Sequence, residues 1–439
     1  MKRFWLVLLS LGLVMAFSVQ AFAVDLKVSG SYYAAGMYLD KSNLQKDAGT
    51  STAFYFQRLR VQTDFVVSPG LTLVTRFDVM ERAWGAARST NDGTPDTSSS
   101  ATRSENENIG FDHVYIQYAS PIGTFIVGSM PNDTIWGTPF GDNIYDGGAA
   151  RVVYIVPVDK FTVLGGFIKI AENSYTANNN LATRADADAD KYFVATIFND
   201  KNIEAGLFYT YMRYANTRSS IETSSFQSKI HVVEPYVKVA LGPVKIQAEI
   251  DYWFGKWVEM DSVGADTDLS SIAGWIDAVA TFGPVYVGGS FAYSQGQGTD
   301  TTDLNELADG GTEWSPTLIM WNQDRSYWVG NLNGNDTTKF GNAMINAFFY
   351  QIRGGVKPTD KLDICASVSM ARADKTPASY VSKDYGYEID VTGTYKLTNN
   401  LSYMLGFGYL FTGDYFKGTN SANSIDNDYL LINKLTLTF

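Results

Sequence analysis

After residue 23, most of the chain consists of segments about 10 to 15 residues long in which apolar and polar residues alternate. A period of two is that of a β-strand, because successive side chains point to opposite faces of a sheet. Beyond the N-terminus, the apolar runs are far shorter than the roughly 20 residues that a membrane-spanning helix needs. The aromatic content of 14% and the charged content of 18% are typical of a folded chain rather than a disordered one. The sequence therefore predicts an all-β fold.

The connections between these segments alternate between short turns and long polar loops. The short turns lie at residues 68–70, 120–123, 157–160, 199–202, 242–243, 283–284, 358–360 and 398–400. The long loops lie near residues 39–52, 83–107, 130–149, 172–190, 215–229, 258–270, 295–343, 373–384 and 412–428. Eight turns and nine loops make seventeen connections, which join eighteen strands. This plan predicts a transmembrane antiparallel up-and-down β-barrel of 16–18 strands, and the count favours 18.

The hairpin around the turn at 68–70 shows why the apolar face must be hidden from water. Pairing Phe65 with Leu73 leaves apolar residues and threonines on one face and places arginines and aspartates on the other. A slip by one residue would put charged residues on the lipid face, each at a cost of roughly 2–4 kcal/mol at the midplane. A soluble β-sandwich is the alternative, but its strands usually have about 5 or 6 residues, whereas a tilted membrane strand needs about 9 to 11. We therefore expect the apolar face to contact lipid.

The first 23 residues have the features of a secretory signal peptide. Lys2 and Arg3 form a basic start, an apolar stretch follows over residues 4–17, and residues 21–23 read Ala-Phe-Ala. Cleavage after Ala23 would leave residues 24–439 as a single barrel domain with 32 basic and 46 acidic residues. This negative charge argues against nucleic acid as a partner.

Two stretches resemble Gram-negative outer-membrane porins. Residues 112–118, Asp-His-Val-Tyr-Ile-Gln-Tyr, continue through residues 123–128, Gly-Thr-Phe-Ile-Val-Gly, and are similar to the porin hairpin before the third loop. The chain ends Leu-Thr-Leu-Thr-Phe, like the terminal porin strand that the barrel-assembly machinery recognises, which makes Phe439 the expected assembly signal. The resemblance implies a location in the bacterial outer membrane, contact with lipid and lipopolysaccharide, and a homotrimer.

The chain also departs from the porin pattern. Ser129 follows the Val-Gly pair where general porins often have arginine, and Leu437 occupies a position that is often aromatic. Asn433 interrupts the apolar series of the last strand. General porins have sixteen strands and sugar-specific ones eighteen, so the count of eighteen favours the larger barrel.

The resemblance further implies a constriction inside the barrel. In porins the loop equivalent to residues 130–150 folds into the lumen, and here that loop contains Asp133, Asp142 and Asp146 among four glycines. The opposite wall of a porin is basic, and the residues here that share the lumen-facing parity are Arg58, Arg60, Arg76 and Arg82. The alternative for the loop is an exposed acidic loop. The alternative for the wall is an ordinary polar surface in which Arg60 pairs with Asp78.

The long loop at 295–343 contains Trp314, Trp321 and Trp328. These side chains could stack on a sugar, contact a neighbouring subunit or pack within the loop itself, and packing within the loop is the favoured interpretation.

Enzyme chemistry finds little support in the sequence. The two histidines, His113 and His231, do not lie in a nucleophile motif, and the spacings typical of metal or haem sites are missing. We therefore expect neither catalysis nor a cofactor or metal. The leading function is a water-filled porin for passive diffusion of small hydrophilic solutes and ions. The alternatives are a substrate-specific channel, for example for a sugar or an anion, and a barrel scaffold for surface or electron-transfer proteins.

Overall fold

The structure, a computed structural model, describes residues 24–85, 109–131, 136–142, 148–173, 187–219, 222–262, 264–299, 301–337, 339–341, 343–377 and 379–439. The predicted signal peptide, residues 1–23, lies outside these ranges. Within them, no helix is both long and apolar enough to cross a bilayer.

Eighteen antiparallel strands form one closed barrel. The strands are β1 (Asp25–Leu39), β2 (Thr52–Ser68), β3 (Leu71–Ala83), β4 (Ile109–Ser120), β5 (Gly123–Pro131), β6 (Gly148–Val158), β7 (Phe161–Ala171), β8 (Ala189–Asp200), β9 (Ile203–Tyr214), β10 (Phe226–Leu241), β11 (Val244–Met260), β12 (Thr267–Phe282), β13 (Val285–Ser294), β14 (Ala347–Thr359), β15 (Leu362–Ala373), β16 (Asp384–Lys396), β17 (Leu401–Thr412) and β18 (Asp428–Thr438). Each strand pairs with its neighbours in sequence, and β18 pairs with β1 to close the barrel. The predicted class and the count of eighteen strands are confirmed.

The strand registers follow the alternation of the sequence. Phe65 faces Leu73 across the first short turn, as predicted, and the hairpin of β16 and β17 pairs Tyr395 with Tyr403. Apolar side chains therefore lie outside the barrel, where Ile352 is 72% exposed to the exterior. An outward-facing apolar band of this kind is what a lipid bilayer covers in transmembrane barrels.

The hydrophobic core of the molecule lies inside the barrel rather than between two sheets. Trp314 and Trp321 from the long loop between β13 and β14 are buried there against Phe349 of β14. The same loop contains the helix α1 (Gln323–Val329), the 3-10 turn Asn335–Thr337, and a two-stranded ladder of Leu332–Asn333 with Lys339–Phe340. The loop therefore folds into the barrel, and these two tryptophans pack inside it. Two further 3-10 turns lie in other loops, at Glu222–Ser224 and Asp414–Lys417.

Pro235 lies within β10, where proline cannot donate a backbone hydrogen bond. It lies opposite Leu207 of β9, and the pairing of β10 with β11 lapses at Glu234 and Pro235. The Glu234 carbonyl accepts a hydrogen bond from Nε1 of Trp136, in the loop between β5 and β6, at 2.8 Å. The interruption of the ladder therefore coincides with the place where a loop attaches to the inner wall.

The C-terminal residue completes the closure of the barrel. The backbone N–H of Phe439 donates to Gly30 of β1 at 3.0 Å, and the N–H of Gly30 donates to the Phe439 carbonyl at 2.9 Å. The Phe439 ring lies over Gly30, where a Cβ would collide with it, and the residue is half exposed.

Deleting Phe439 should lower the yield of folded barrel, because it removes two backbone hydrogen bonds, each worth about 0.5–1.5 kcal/mol, and an apolar ring. The measurement is the fraction of heat-modifiable protein in the outer membrane at high expression, together with the periplasmic protease response. Phe439→Tyr is the control and should fold normally. Normal folded yield from the deletion variant would contradict an assembly role for this residue.

Candidate functional site

Three arginines from β2 and β3 form a row on the inner wall, here called the arginine wall: Arg58, Arg60 and Arg76. They share a face because residues two apart in a strand point to the same side and because Arg60 and Asp78 are paired across the hairpin. Their side chains are 16–25% exposed, so they border the open interior while their stems are packed.

Each arginine is paired with a buried carboxylate of the same wall. Arg60 donates to both oxygens of Asp78 at 2.7 and 2.6 Å. Arg76 donates to Asp112 at 2.7 Å, and Nη1 of Arg58 lies 3.4 Å from Glu81. The pairing of Arg60 with Asp78, which the sequence offered as the alternative for this wall, is therefore present. These carboxylates offset the positive charge of the wall, which lowers the field that the arginines exert across the lumen.

Three buried pairs also make this wall sensitive to single substitutions. The acidic partners Asp78, Glu81 and Asp112 are each at most 4% exposed. Because the arginine side chains are 16–25% exposed, removing one of them costs less than the roughly 3–5 kcal/mol of a fully buried pair, since water reaches the space that it leaves.

Arg82 departs from the expected parity. Met80 adopts a left-handed backbone conformation, with φ of 49°, and the pairing of β2 with β3 shifts by one residue at this point. Arg82 consequently lies opposite Gln57, and Glu81 takes the position beside Arg58. The sequence alternation alone gives no sign of such a bulge.

The third loop, defined as residues 132–147 between β5 and β6, is described over residues 136–142. Nε1 of Trp136 donates to the Glu234 carbonyl of β10, and the backbone N–H of Thr138 donates to Oε2 of Glu249 of β11 at 2.9 Å. Both acceptors lie on the far side of the barrel from β2 and β3, because β10 and β11 are seven to nine strand positions away from them in a ring of eighteen.

The next residues of the third loop continue along the same wall. Phe140 is fully buried and stacks on Trp275 of β12, with ring centroids 6.1 Å apart. Gly141 has φ of 79°, and a Cβ there would collide with the carboxylate of Asp251. A glycine is therefore required at this position by backbone conformation and by space.

Among the three aspartates predicted to form an acidic constriction, only Asp142 lies in the described residues. Its Oδ2 accepts a hydrogen bond from the backbone N–H of Trp136 at 2.8 Å, and its side chain is 8% exposed. Asp142 therefore closes the turn of the third loop on itself. Asp133 and Asp146 lie outside the described residues.

The seventh loop, residues 295–346, is the feature that the sequence did not identify as part of a constriction. The Glu388 carboxylate of β16 accepts three backbone N–H groups of this loop, from Leu318, Ile319 and Met320, at 3.0, 2.6 and 2.8 Å. Glu388 is fully buried. A carboxylate that accepts three backbone N–H groups fixes the loop to the inner wall, because leaving these donors unpaired would cost about 1–3 kcal/mol each.

A buried arginine holds the fold of the seventh loop. Arg325, in the helix α1, is fully buried and donates to the carbonyls of Ile319 and Gly330 at 2.9 and 2.6 Å. Burial lowers the pKa of Arg325 to about 10, and Glu388 and Asp428 act in the opposite direction. The guanidinium therefore remains charged at neutral pH and satisfies carbonyls that the loop would otherwise bury unpaired.

The arginine wall and the seventh loop face each other across an opening of about 540 Å³. The acidic side chains on the loop side are Glu313 and Asp324, and Nζ of Lys434 lies 2.8 Å from Asp324. Two of the carboxylates that line the opening with the arginines, Glu313 and Asp324, therefore come from the seventh loop, and a third, Glu81, comes from β3. The cluster of tryptophans in the seventh loop was the one feature of the sequence that indicated that this loop is buried.

The chain matches no protein-family profile and no curated protein. It is similar in structure to Acinetobacter baumannii OccAB1, with a TM-score of 0.54 and 12% identity over 96% of this chain and 99% of that chain. It is similar to Pseudomonas aeruginosa OccK9 (OpdG), with a TM-score of 0.51 and 13% identity over 94% of this chain and 99% of that chain. It is also similar to Pseudomonas aeruginosa OpdQ, with a TM-score of 0.50 and 12% identity over 94% and 97% of the two chains.

At these identities the similarity shows the fold. The chain has the fold of a Gram-negative outer-membrane porin, as the sequence resemblance indicated.

Replacing Arg58, Arg60 and Arg76 by glutamine should shift permeability toward cations, because three positive charges are removed from the wall of the opening. Unit charges about 10 Å apart in water interact by roughly 0.4 kcal/mol, which is about a twofold change in permeability ratio per charge. Reversal potentials in a salt gradient measure the shift, which should grow at low salt because screening weakens.

Two controls accompany this experiment. The double variant Arg60→Gln with Asp78→Asn removes one charge of each sign and should leave the reversal potential nearly unchanged. Lys160→Gln should also leave the reversal potential nearly unchanged, because Lys160 lies in an exposed pair with Asp200 at the turn between β6 and β7. Glu313→Gln with Asp324→Asn should shift permeability toward anions. If the arginine variants and the Glu313 and Asp324 variants shifted the reversal potential in the same direction, the two groups of charges would not form opposing walls of one opening.

Replacing Glu388 by alanine should loosen the seventh loop, because three backbone donors lose their acceptor. We expect faster proteolysis within residues 295–346 and a larger, noisier single-channel current. Val391→Ala, on the lipid-facing side of the same strand, is the control. Unchanged proteolysis and current in Glu388→Ala would show that the loop is held by other contacts.

Proposed function

We propose that the protein is an outer-membrane channel through which small hydrophilic solutes and ions diffuse passively. The observation that carries this proposal is the opening of about 540 Å³ between the arginine wall and the seventh loop, inside a closed barrel. An opening lined by charges of both signs accepts water and polar solutes, and its width and charge select among them.

Planar-bilayer recording of the purified protein tests this proposal. We expect stepwise ionic currents that rise in proportion to salt concentration. A folded barrel that inserts into the bilayer but passes no current would contradict it.

A substrate-specific channel is the second candidate. It is favoured by the two loops that enter the interior, each attached to the inner wall through a buried carboxylate, Glu249 for the third loop and Glu388 for the seventh. Fixed loops of this kind present a constant set of side chains to a passing solute. Currents that saturate, or that one solute class blocks, would distinguish this candidate from general diffusion.

A scaffold for surface or electron-transfer proteins is less well supported. A protein threaded through the barrel would have to displace the buried aromatic cluster that includes Phe140, Trp314 and Trp321.

The similar solved structures are outer-membrane channels rather than enzymes, and we propose no catalytic role. His231 lies on the outward face, where its Nδ1 is 2.8 Å from the hydroxyl of Tyr209.

Homotrimer formation, contact with lipopolysaccharide and recognition by the barrel-assembly machinery remain proposals drawn from the resemblance to porins. Native mass spectrometry of the protein extracted in mild detergent would test the trimer directly.

A further inference from the structure

The inner wall away from the arginine wall is apolar along several adjacent strands. The lumen-side residues there include Ile126, Val153, Ile155, Leu164, Ile168 and Met212, from β5 to β9. The interior of a transmembrane barrel is normally polar, because it faces water. Loops cover part of this stretch, because Leu164 and Phe208 pack against the cluster that contains Trp136, and Leu304 and Leu307 pack against the cluster that contains Met212. A space remains between the wall and these loops.

This wall and the third loop enclose a cavity of about 260 Å³, here called the aromatic slot. Phe208 packs against Trp136 of the third loop and against Phe193, with ring centroids 5.3 and 5.7 Å apart, and Trp253 completes the lining. The hydrogen bond from Trp136 to the Glu234 carbonyl fixes the position of the indole. The slot is therefore built from aromatic side chains held in place by the fold.

The volume limits the size of a ligand. A cavity of about 150 Å³ holds benzene, and pockets for drug-sized ligands begin near 300 Å³. The aromatic slot lies between the two, which suits a single aromatic ring with a short polar chain.

The charged residues that line the slot are balanced. Among the described residues, Arg151 of β6 and Lys191 of β8 supply the basic groups, and Asp142 of the third loop and Glu234 of β10 supply the acidic ones. The basic groups come from strands on one side of the slot, and the acidic groups from the other side and from the loop. Opposite charges at two sides of an apolar slot match a ligand that carries both charges.

We propose that the aromatic slot binds a small aromatic zwitterion, such as an aromatic amino acid. The ring lies among Phe193, Phe208 and Trp136. The carboxylate of the ligand faces Arg151 and Lys191, and its ammonium faces Glu234 and Asp142. This inference rests on the proposed channel function, since the solute reaches the slot from the lumen, and it names a solute class for which the barrel offers a binding site.

Isothermal titration of the whole protein in detergent, with L-phenylalanine as the probe, tests the proposal. L-Alanine tests the need for a ring, while 3-phenylpropionate and phenethylamine each lack one of the two charges. We expect millimolar binding of phenylalanine and at least about tenfold weaker binding of the other three, since the loss of a ring contact or an ion pair costs about 1.4 kcal/mol. Equal binding of phenylalanine and alanine, or of phenylalanine and either singly charged compound, would overturn the proposal.

Phe208→Ala should weaken phenylalanine binding about tenfold, whereas Leu207→Ala, the lipid-facing neighbour in β9, should not change it. Lys191→Gln should weaken phenylalanine while leaving the weak binding of phenethylamine unchanged, a difference that a merely unfolded variant cannot produce. If neither variant changed phenylalanine binding, the ligand would be bound elsewhere and the assignment would be wrong.

Bilayer recording separates this inference from the proposed function. A channel that conducts ions and is reduced in current by phenylalanine, but not by alanine, supports both. A channel that conducts ions while phenylalanine neither binds nor reduces the current overturns the aromatic slot and leaves the channel intact.

Discussion

The hydrogen bonds between β18 and β1 are the constraint on which the rest of the structure depends. In a bilayer an open sheet edge would leave backbone groups without water or protein partners, at several kcal/mol for each group. Pairing β18 with β1 gives each of the eighteen strands a neighbour on both sides, and the bonds between Gly30 and Phe439 extend this pairing to the last residue. Once the ring is closed, alternation places apolar residues outside and leaves an interior that the long loops can enter.

The long loops then divide the interior, and buried carboxylates attach these loops to the wall. Glu388 accepts three backbone groups of the seventh loop, and Glu249 accepts one of the third loop. The spaces that remain include the opening beside the arginine wall and the aromatic slot. Charge pairing within the arginine wall gives this opening a field weaker than three arginines would exert, because Asp78, Glu81 and Asp112 lie beside them.

Much of the fold could be predicted from the sequence, but only part of the site. The strand count and the pairings of Phe65 with Leu73 and of Tyr395 with Tyr403 follow from alternation and turn residues, which are local properties. The shared face of Arg58, Arg60 and Arg76 follows in the same way. Arg82 does not, because the left-handed conformation of Met80 shifts the register, and apolar or polar character does not report backbone conformation.

The sequence by itself determined the barrel, its strand number and the face on which most strand residues lie, because these depend on residues two apart and on adjacent hairpins. Only the tertiary structure decided what fills the interior. The contact of Leu318 with Glu388 joins residues 70 apart, and that of Thr138 with Glu249 joins residues 111 apart. Such contacts exist only after closure brings distant strands around one lumen, so no local pattern in a loop shows which wall it will meet.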